Sequence, residues 1–515
     1  MGQKIPRLAC LALLLGLGCT PETSPWGPES PEGDADSDTD ADSDTDSDAD
    51  GDADTDIAED PEDVDTAVED TAVACDETTP VTLYLSPDDS NSMSSPAQVR
   101  AWVGAGECDL SNVPIRTWEF MNYYDFGYPP AVAGELALDA QMVAGAEPGT
   151  YTLQLAVAAP QVANEARDPI NLTFSLDLSN SMDGAPWDNM QHVCRDIAGL
   201  LAAGDVVSVV GWNEFTYTLL NSLHVTGPDD PTLLAVIDTL TMAWGTDLYG
   251  GLSTAYQLTE ANRANGMLNR VMLISDGKAN LGETDAGVIG EYAGGADEDG
   301  IYLLGVGTGK IGSYNDTLMD EATDLGGGAT LYVFDDAEVD RWFSDGFRLV
   351  NLMDLAAREV QVQLDLPPGF EIVRFSGEEY STDPEEVRPQ NLAPNDAMVF
   401  HQDLRTCAPD AVTDASEVHV TVTWKDPVTF AEQSLELTAT FGDLLAGDTE
   451  QLRKGAAVFA YAEALKAYKR DDPANWTAAA AAWLTAQQAA EAELPHDADL
   501  QGIRDIMAAL GAPGA

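Results

Sequence analysis

The stretch Ile170-Asn171-Leu172-Thr173-Phe174-Ser175-Leu176-Asp177-Leu178-Ser179-Asn180-Ser181-Met182 opens apolar and closes on oxygen. Asp177, Ser179 and Ser181 stand at alternate positions where a buried strand runs out. In extended backbone that alternation puts one carboxylate and two hydroxyls on the same side. No His or Cys stands beside them.

Three further runs share the apolar character of this lead-in. With Leu172 to Asp177, the segments Val206 to Trp212, Val271 to Ser275 and Ile301 to Val306 read as central strands covered on both faces. Helical patterns lie between or after them, over Met190 to Ala202, Leu233 to Leu240, Leu248 to Asn262 and Asp316 to Leu325. Strand and helix alternation of this kind predicts a doubly wound α/β domain, here over residues 168–352.

In open α/β sheets, ligands bind beyond the carboxyl ends of the strands. Three loops are expected at that edge. The first carries Asp177, Ser179 and Ser181. The second, Gly245-Thr246-Asp247-Leu248, opens a helix with Thr246 at the capping position. The third is Ser275-Asp276-Gly277. Together they offer hydroxyl and carboxylate oxygens only, a set that suits a hard cation such as Mg²⁺, with Mn²⁺ and Ca²⁺ as alternatives. So few ligands leave the shell incomplete. Mg²⁺ keeps water in such positions, and a partner's carboxylate can replace one.

Residues from Pro169 to about Val350 resemble a von Willebrand factor type A (VWA) domain with a metal-ion-dependent adhesion site. The resemblance implies a Rossmann-like fold, with Ser179, Ser181 and Thr246 contacting the metal directly and Asp177 and Asp276 acting through water. Asn180 stands where Gly is usual, and Asn tolerates tight turns. Tyr84 to Ser92, Arg116 to Tyr124 and Gly312 to Met319 are similar to segments of one group of bacterial VWA lipoproteins, which carry a characteristic region on each side of the VWA domain.

Around this centre the rhythm changes. Val81 to Leu85 and Tyr151 to Val157 read as strands and Ala97 to Val103 as a short helix, giving a β-rich flank at 76–167. Val360 to Leu364, Val418 to Val422 and Leu435 to Phe441 alternate as half-solvated strands do, giving a second β-rich flank at 353–445. The two flanks are expected to form one split domain into which the VWA unit is inserted. Gln451 to Tyr468, Trp476 to Glu493 and Asp499 to Leu510 predict a helical region at 446–515.

At the other end, Lys4 and Arg7 precede an apolar run from Leu8 to Leu17 that is too short to span a membrane. Residues 1–19 therefore read as a signal peptide. Cys19 after Gly18 resembles a bacterial lipoprotein processing site and is the expected lipid anchor, although Gly16 departs from the usual Leu. From Thr20 to Ala74 there are 22 acidic residues and no basic one, and every second residue from Asp34 to Asp56 is Asp. Such a segment repels itself and buries nothing, so 20–75 is expected to be a disordered tether. The run from Asp46 to Asp54 imitates the start of an EF-hand loop, but Ile57 stands where the bidentate Glu belongs.

A net charge of −67 disfavours nucleic acid and anionic lipid surfaces as partners. Four cysteines remain in an exported chain, and Cys75 with Cys108 closes the shortest loop among Cys75, Cys108, Cys194 and Cys407. No CxxC pair or Cys/His cluster occurs, so no zinc site is expected. Gly305 to Lys310 lacks the spacing of a phosphate loop, and Ser275 to Lys278 lacks the companions of an SxxK enzyme. His192, His224, His401, His419 and His496 are scattered, without HExxH or GxSxG, and no enzyme is expected. Trp118, Phe120, Tyr123, Tyr124, Phe126 and Tyr128 read as packing between the flank and the VWA unit.

The expected function is an extracytoplasmic, lipid-anchored binding protein of the outer membrane or cell surface, whose metal accepts an acidic side chain of a protein partner. The alternative is an assembly scaffold with the metal site filled internally, for example by the tether.

Overall fold

The computed structural model describes residues 75–515, apart from 88–91, 265, 286, 290–299, 345 and 471–472. The expected signal peptide, Cys19 and the Asp-rich segment to residue 74 lie outside the described residues, as do Asp88 to Asn91 of the first flanking motif.

The chain enters with β1 (Val81–Ser86), α1 (Ser94–Gly104), α2 (Thr117–Tyr123), β2 (Ala137–Ala144) and β3 (Thr150–Ala158). It then builds a six-stranded sheet from β4 (Ile170–Asp177), β5 (Val206–Trp212), β6 (Thr216–His224), β7 (Leu268–Ser275), β8 (Ile301–Gly307) and β9 (Thr330–Tyr332). The order is β6-β5-β4-β7-β8-β9, parallel throughout except for the antiparallel edge strand β6. This is the expected Rossmann-like α/β domain.

β4 lies at the centre and is buried along its whole length. Its two faces differ in chemistry. Leu172, Phe174 and Leu176 pack with Met190, Val193 and Ile197 of α3 (Ala185–Leu200), and each fully buried side chain of this size contributes roughly 1.5–3 kcal/mol. The opposite face is a polar ladder. Asn171 Nδ2 donates to Thr259 O at 2.8 Å, Thr259 Oγ1 to Thr173 Oγ1 at 2.8 Å, and Trp212 Nε1 to Ser175 Oγ at 3.0 Å. Thr259 belongs to α5 (Leu248–Ala261), which covers this face; α4 (Pro231–Asp238) precedes it in the chain. Asn171 Oδ1 accepts no hydrogen bond among the described residues, but Asn171 Nδ2, Thr173, Ser175 and Thr259 are paired and escape the desolvation cost of orphaned groups. The ladder leads up to Asp177.

Strands from both flanks interlock. β10 (Ala357–Leu366), β11 (Phe370–Phe375), β12 (Glu379–Ser381), β13 (Gln390–Leu392), β14 (Ala397–Thr406), β15 (Glu417–Lys425) and β16 (Glu432–Thr440) follow the α/β domain. One sheet runs β12-β1-β10-β15-β16, with β13 beside β10; the other runs β11-β14-β3-β2. β1 pairs with β10 from Val81↔Leu366 to Leu85↔Val362, and β3 with β14 from Thr150↔Arg405 to Ala158↔Ala397. Strands that precede the α/β domain thus pair with strands that follow it. Leu83, Leu85, Val362, Leu364 and Val420 share a core with Leu153, Leu155, Phe400 and Leu404.

Three helices close the chain: Glu450–Lys469, Pro473–Glu493 and Ala498–Ala509. Tyr461, Trp483 and Ile503 join the same core as Met190 and Phe120. The aromatic cluster does pack, partly as helix α2. Phe120 meets Tyr461 edge-on at 5.4 Å, and Tyr123 meets Trp342 at 5.7 Å. Cys75, Cys108 and Cys407 are in disulfides, and Cys194 is a buried free thiol. Among the described residues no helix is long and apolar enough to cross a membrane.

Candidate metal centre

The first loop leaves β4 at Asp177, which is fully buried. Its Oδ1 accepts the backbone N–H of Ser179 at 2.9 Å, and its Oδ2 accepts the hydroxyl of Ser275 at 2.7 Å. Ser179 Oγ and Ser181 Oγ lie 2.8 Å apart, within one 3₁₀ turn. Burial pushes the Asp177 carboxyl up to about 7. The hydrogen bonds from Ser179 and Ser275 oppose that rise, and the neighbouring charge of Asp276 adds to it.

The second loop is stitched to its neighbours through backbone groups. Ala243 N donates to Leu178 O at 2.8 Å, beside Ser179, and Asp247 N donates to Asn213 O at 2.8 Å. Gly245 takes φ +90 where a Cβ would strike Glu214, so the turn requires glycine. The helix cap departs from expectation. Asp247, not Thr246, is the cap of α5, its side chain accepting Gly250 N at 3.0 Å. A carboxylate one residue later satisfies the first turn and leaves Thr246 Oγ1 without a hydrogen bond among the described residues.

The third loop joins the second. Thr246 N donates to Asn280 Oδ1 at 3.0 Å, and Asn280 N and Leu281 N donate to Thr246 O at 3.1 and 3.2 Å. Asp276 is buried; its Oδ1 accepts Lys278 N at 3.3 Å. Asp276 Oδ2 accepts no hydrogen bond among the described residues. The Lys278 ammonium lies 3.2 Å from it, close enough for charge attraction but without hydrogen-bond alignment. All five expected residues therefore sit at one sheet edge. Asp177, Ser179 and Ser181 form one hydrogen-bonded turn, Asp276 lies within electrostatic reach of Asp177, and Thr246 is held by Asn280 and Leu281 of the third loop, while Ala243 ties the same segment to Leu178 of the first.

Sequence reading missed Asn213 and Asn280, which brace the second loop, and gave Ser275 no bracing role. Asn carries no local pattern that separates a brace from an ordinary turn residue. The donor chemistry fits a hard divalent ion: three hydroxyls, two carboxylates and one buried carboxylate oxygen without a hydrogen bond. Apolar side chains stand around the edge, with Trp244 81% and Phe215 60% exposed.

Residues 172–278 match the von Willebrand factor type A domain family. The chain carries a VWA domain, a fold that serves as a protein-interaction module. Two curated relatives are similar in sequence. The uncharacterized protein YfbK of Escherichia coli (strain K12) is 24% identical over 348 residues, covering 63% of this chain and 59% of that protein. The uncharacterized protein sll0103 of Synechocystis sp. (strain ATCC 27184 / PCC 6803 / Kazusa) is 27% identical over 150 residues, covering 29% and 35%. The chain thus spans 59% or less of the length of either. Among solved structures, the von Willebrand factor type A protein from Catenulispora acidiphila overlaps 72% of this chain and 89% of its own, at 16% identity and a TM-score of 0.46.

Proposed function

We propose that this chain is a metal-dependent protein-binding module of the cell envelope. Ser179, Ser181 and Thr246 would hold a divalent ion, Mg²⁺ by the hardness of the donors, with Asp177 and Asp276 behind them through water. An Asp or Glu side chain of a protein partner would complete the shell. The exposed rings of Trp244 and Phe215, set beside Thr246 and Asn213, would supply the surrounding contact, since exposed apolar groups around a polar site mark interaction surfaces. A lipid on Cys19 and the Asp-rich segment would tether the module outside the cytoplasm.

The observation that carries this reading is the oxygen-only edge, in which the Thr246 hydroxyl and Asp276 Oδ2 are left without hydrogen bonds among the described residues. The test is a crosslinking pull-down from native envelopes, run with Mg²⁺ and with chelator, for the wild type and Asp177→Ala. Partner capture should require both the ion and Asp177. Capture that survives chelator and the substitution alike removes the metal from the mechanism.

A further inference from the structure

A second cluster of metal-ligating groups lies between α3 and the helix Asp336–Phe343. His192 and Asp196 are one turn apart on α3; Asp336 and Asp340 are one turn apart on the facing helix. Their backbones are fixed by a shared core, in which Val193, Ile197, Val339 and Phe343 are fully buried. His192 Nε2 lies 3.5 Å from Asp196 Oδ2 and 3.4 Å from Asp340 Oδ1. The three ligand atoms all fall within 4.8 Å of one another.

Those separations are long for hydrogen bonds, which centre near 2.9 Å. They match ligand-to-ligand edges instead. Donors at about 2.0–2.1 Å around a tetrahedral ion sit about 3.3–3.4 Å apart. Asp196 Oδ2 is buried and has no hydrogen bond among the described residues. On the other side of the ring, His192 Nδ1 meets Asp336 Oδ1 at 3.1 Å. A carboxylate in that place fixes the tautomer and leaves Nε2 as the free donor, the usual outer support of a metal-bound imidazole.

We propose that His192, Asp196 and Asp340 form a second divalent-cation site, oriented by Asp336, which clamps α3 to the helix Asp336–Phe343. A neutral imidazole and two carboxylates balance a divalent charge. One nitrogen among oxygens favours a first-row transition ion such as Zn²⁺ over the Mg²⁺ suited to the oxygen-only edge. Asp340 is largely exposed, so the fourth position opens to solvent and takes water or a donor from outside.

Co²⁺ titration of the full chain in excess Mg²⁺ tests this, because Mg²⁺ occupies sites built of oxygen alone. The readout is the intense visible absorption of four-coordinate Co²⁺. One equivalent should produce the band and Zn²⁺ should erase it. The band should persist in Asp177→Ala, and Asp336→Asn should weaken binding about 10-fold. His192→Ala and Asp196→Asn, with near-UV circular dichroism unchanged, should abolish it. No band in the wild type, or an equal band in His192→Ala, overturns the proposal and leaves His192 as a polar contact between the two helices.

Discussion

Ser275 Oγ donates a 2.7 Å hydrogen bond to Asp177 Oδ2, tying the end of β7 to the end of β4 inside the sheet edge. Asp177 needs that support because burial holds its carboxyl near 7, far above the ordinary carboxylate range. In metal-free protein the native state keeps a proton on Asp177 that the unfolded chain has already lost. Its contribution is most favourable below about pH 4 and is lost as pH rises towards 7, a change on the order of 4 kcal/mol. Urea midpoints measured in chelator should fall over that interval in the wild type relative to Asp177→Asn, which cannot ionise. With saturating Mg²⁺ the difference should shrink, because the ion replaces the proton. Parallel curves for wild type and variant would refute the assignment.

Ser275 also accepts Gly277 N at 3.0 Å, so one hydroxyl orients both the buried carboxylate and the turn that presents Asp276. Ser275→Ala leaves Asp177 Oδ2 buried without its donor, at a cost of about 1–3 kcal/mol. The loss of an orienting contact should weaken Mg²⁺ or Mn²⁺ binding roughly 10- to 100-fold, read by calorimetry. Affinity within twofold of wild type would show that Ser275 serves the fold alone.

Lys278 sets up the opposite effect. Its ammonium lies 3.2 Å from Asp276 Oδ2, the oxygen a divalent ion would draw upon through water, and its side chain is 41% exposed. An ion arriving there competes with an internal cation whose pairing is worth about 1 kcal/mol or less. Lys278→Met should tighten ion binding by roughly 3- to 5-fold. Weaker binding in the variant would mean that Lys278 supports the site.

The α/β domain was legible because its central strands are buried on both faces, so Leu172 to Asp177 and Val271 to Ser275 could only be apolar runs ending in polar loops. The three oxygen-bearing loops followed from that order. Other elements were hidden for physical reasons. β14 carries His401 and Gln402 in its interior, and both are buried, His401 against Phe459 of a C-terminal helix. Its polar residues therefore mimic a loop. β6 is an edge strand with mostly exposed positions and no burial pattern to read. His192 was one of five scattered histidines. Its i,i+4 partner is visible in the sequence, but Asp340 reaches it only through helix packing across 148 residues of chain. The Thr246 capping expectation failed because Asp247 is an equally good cap one position later.

The flanks reach into the α/β domain near its metal edge. Arg116, which precedes α2, contacts Asp316 Oδ2 at 2.7 Å and Glu119 Oε1 at 2.9 Å, while Ser94 Oγ and Gln98 Nε2 donate to Asp316 Oδ1 at 2.5 and 2.7 Å. Asp316 follows Asn315, whose backbone N–H donates to Asp276 O at 3.0 Å. Met93 N donates to Thr330 O at 2.8 Å on the edge strand β9, and Tyr123 Oη donates to Glu338 at 2.7 Å. Excising residues 168–352 would strip buried Asp316 of Ser94, Gln98 and Arg116, leave buried Glu338 with Trp342 but without Tyr123 and Arg100, and uncover Trp342 and Tyr332. Removing one member of a buried charge pair typically costs about 3–5 kcal/mol. Arg116→Ala should destabilise the full chain by that amount in urea, and the excised piece should unfold at a lower temperature than residues 76–515 or aggregate. An excised piece as stable as the longer chain would mean that the α/β domain stands alone and that the flanks merely rest against it.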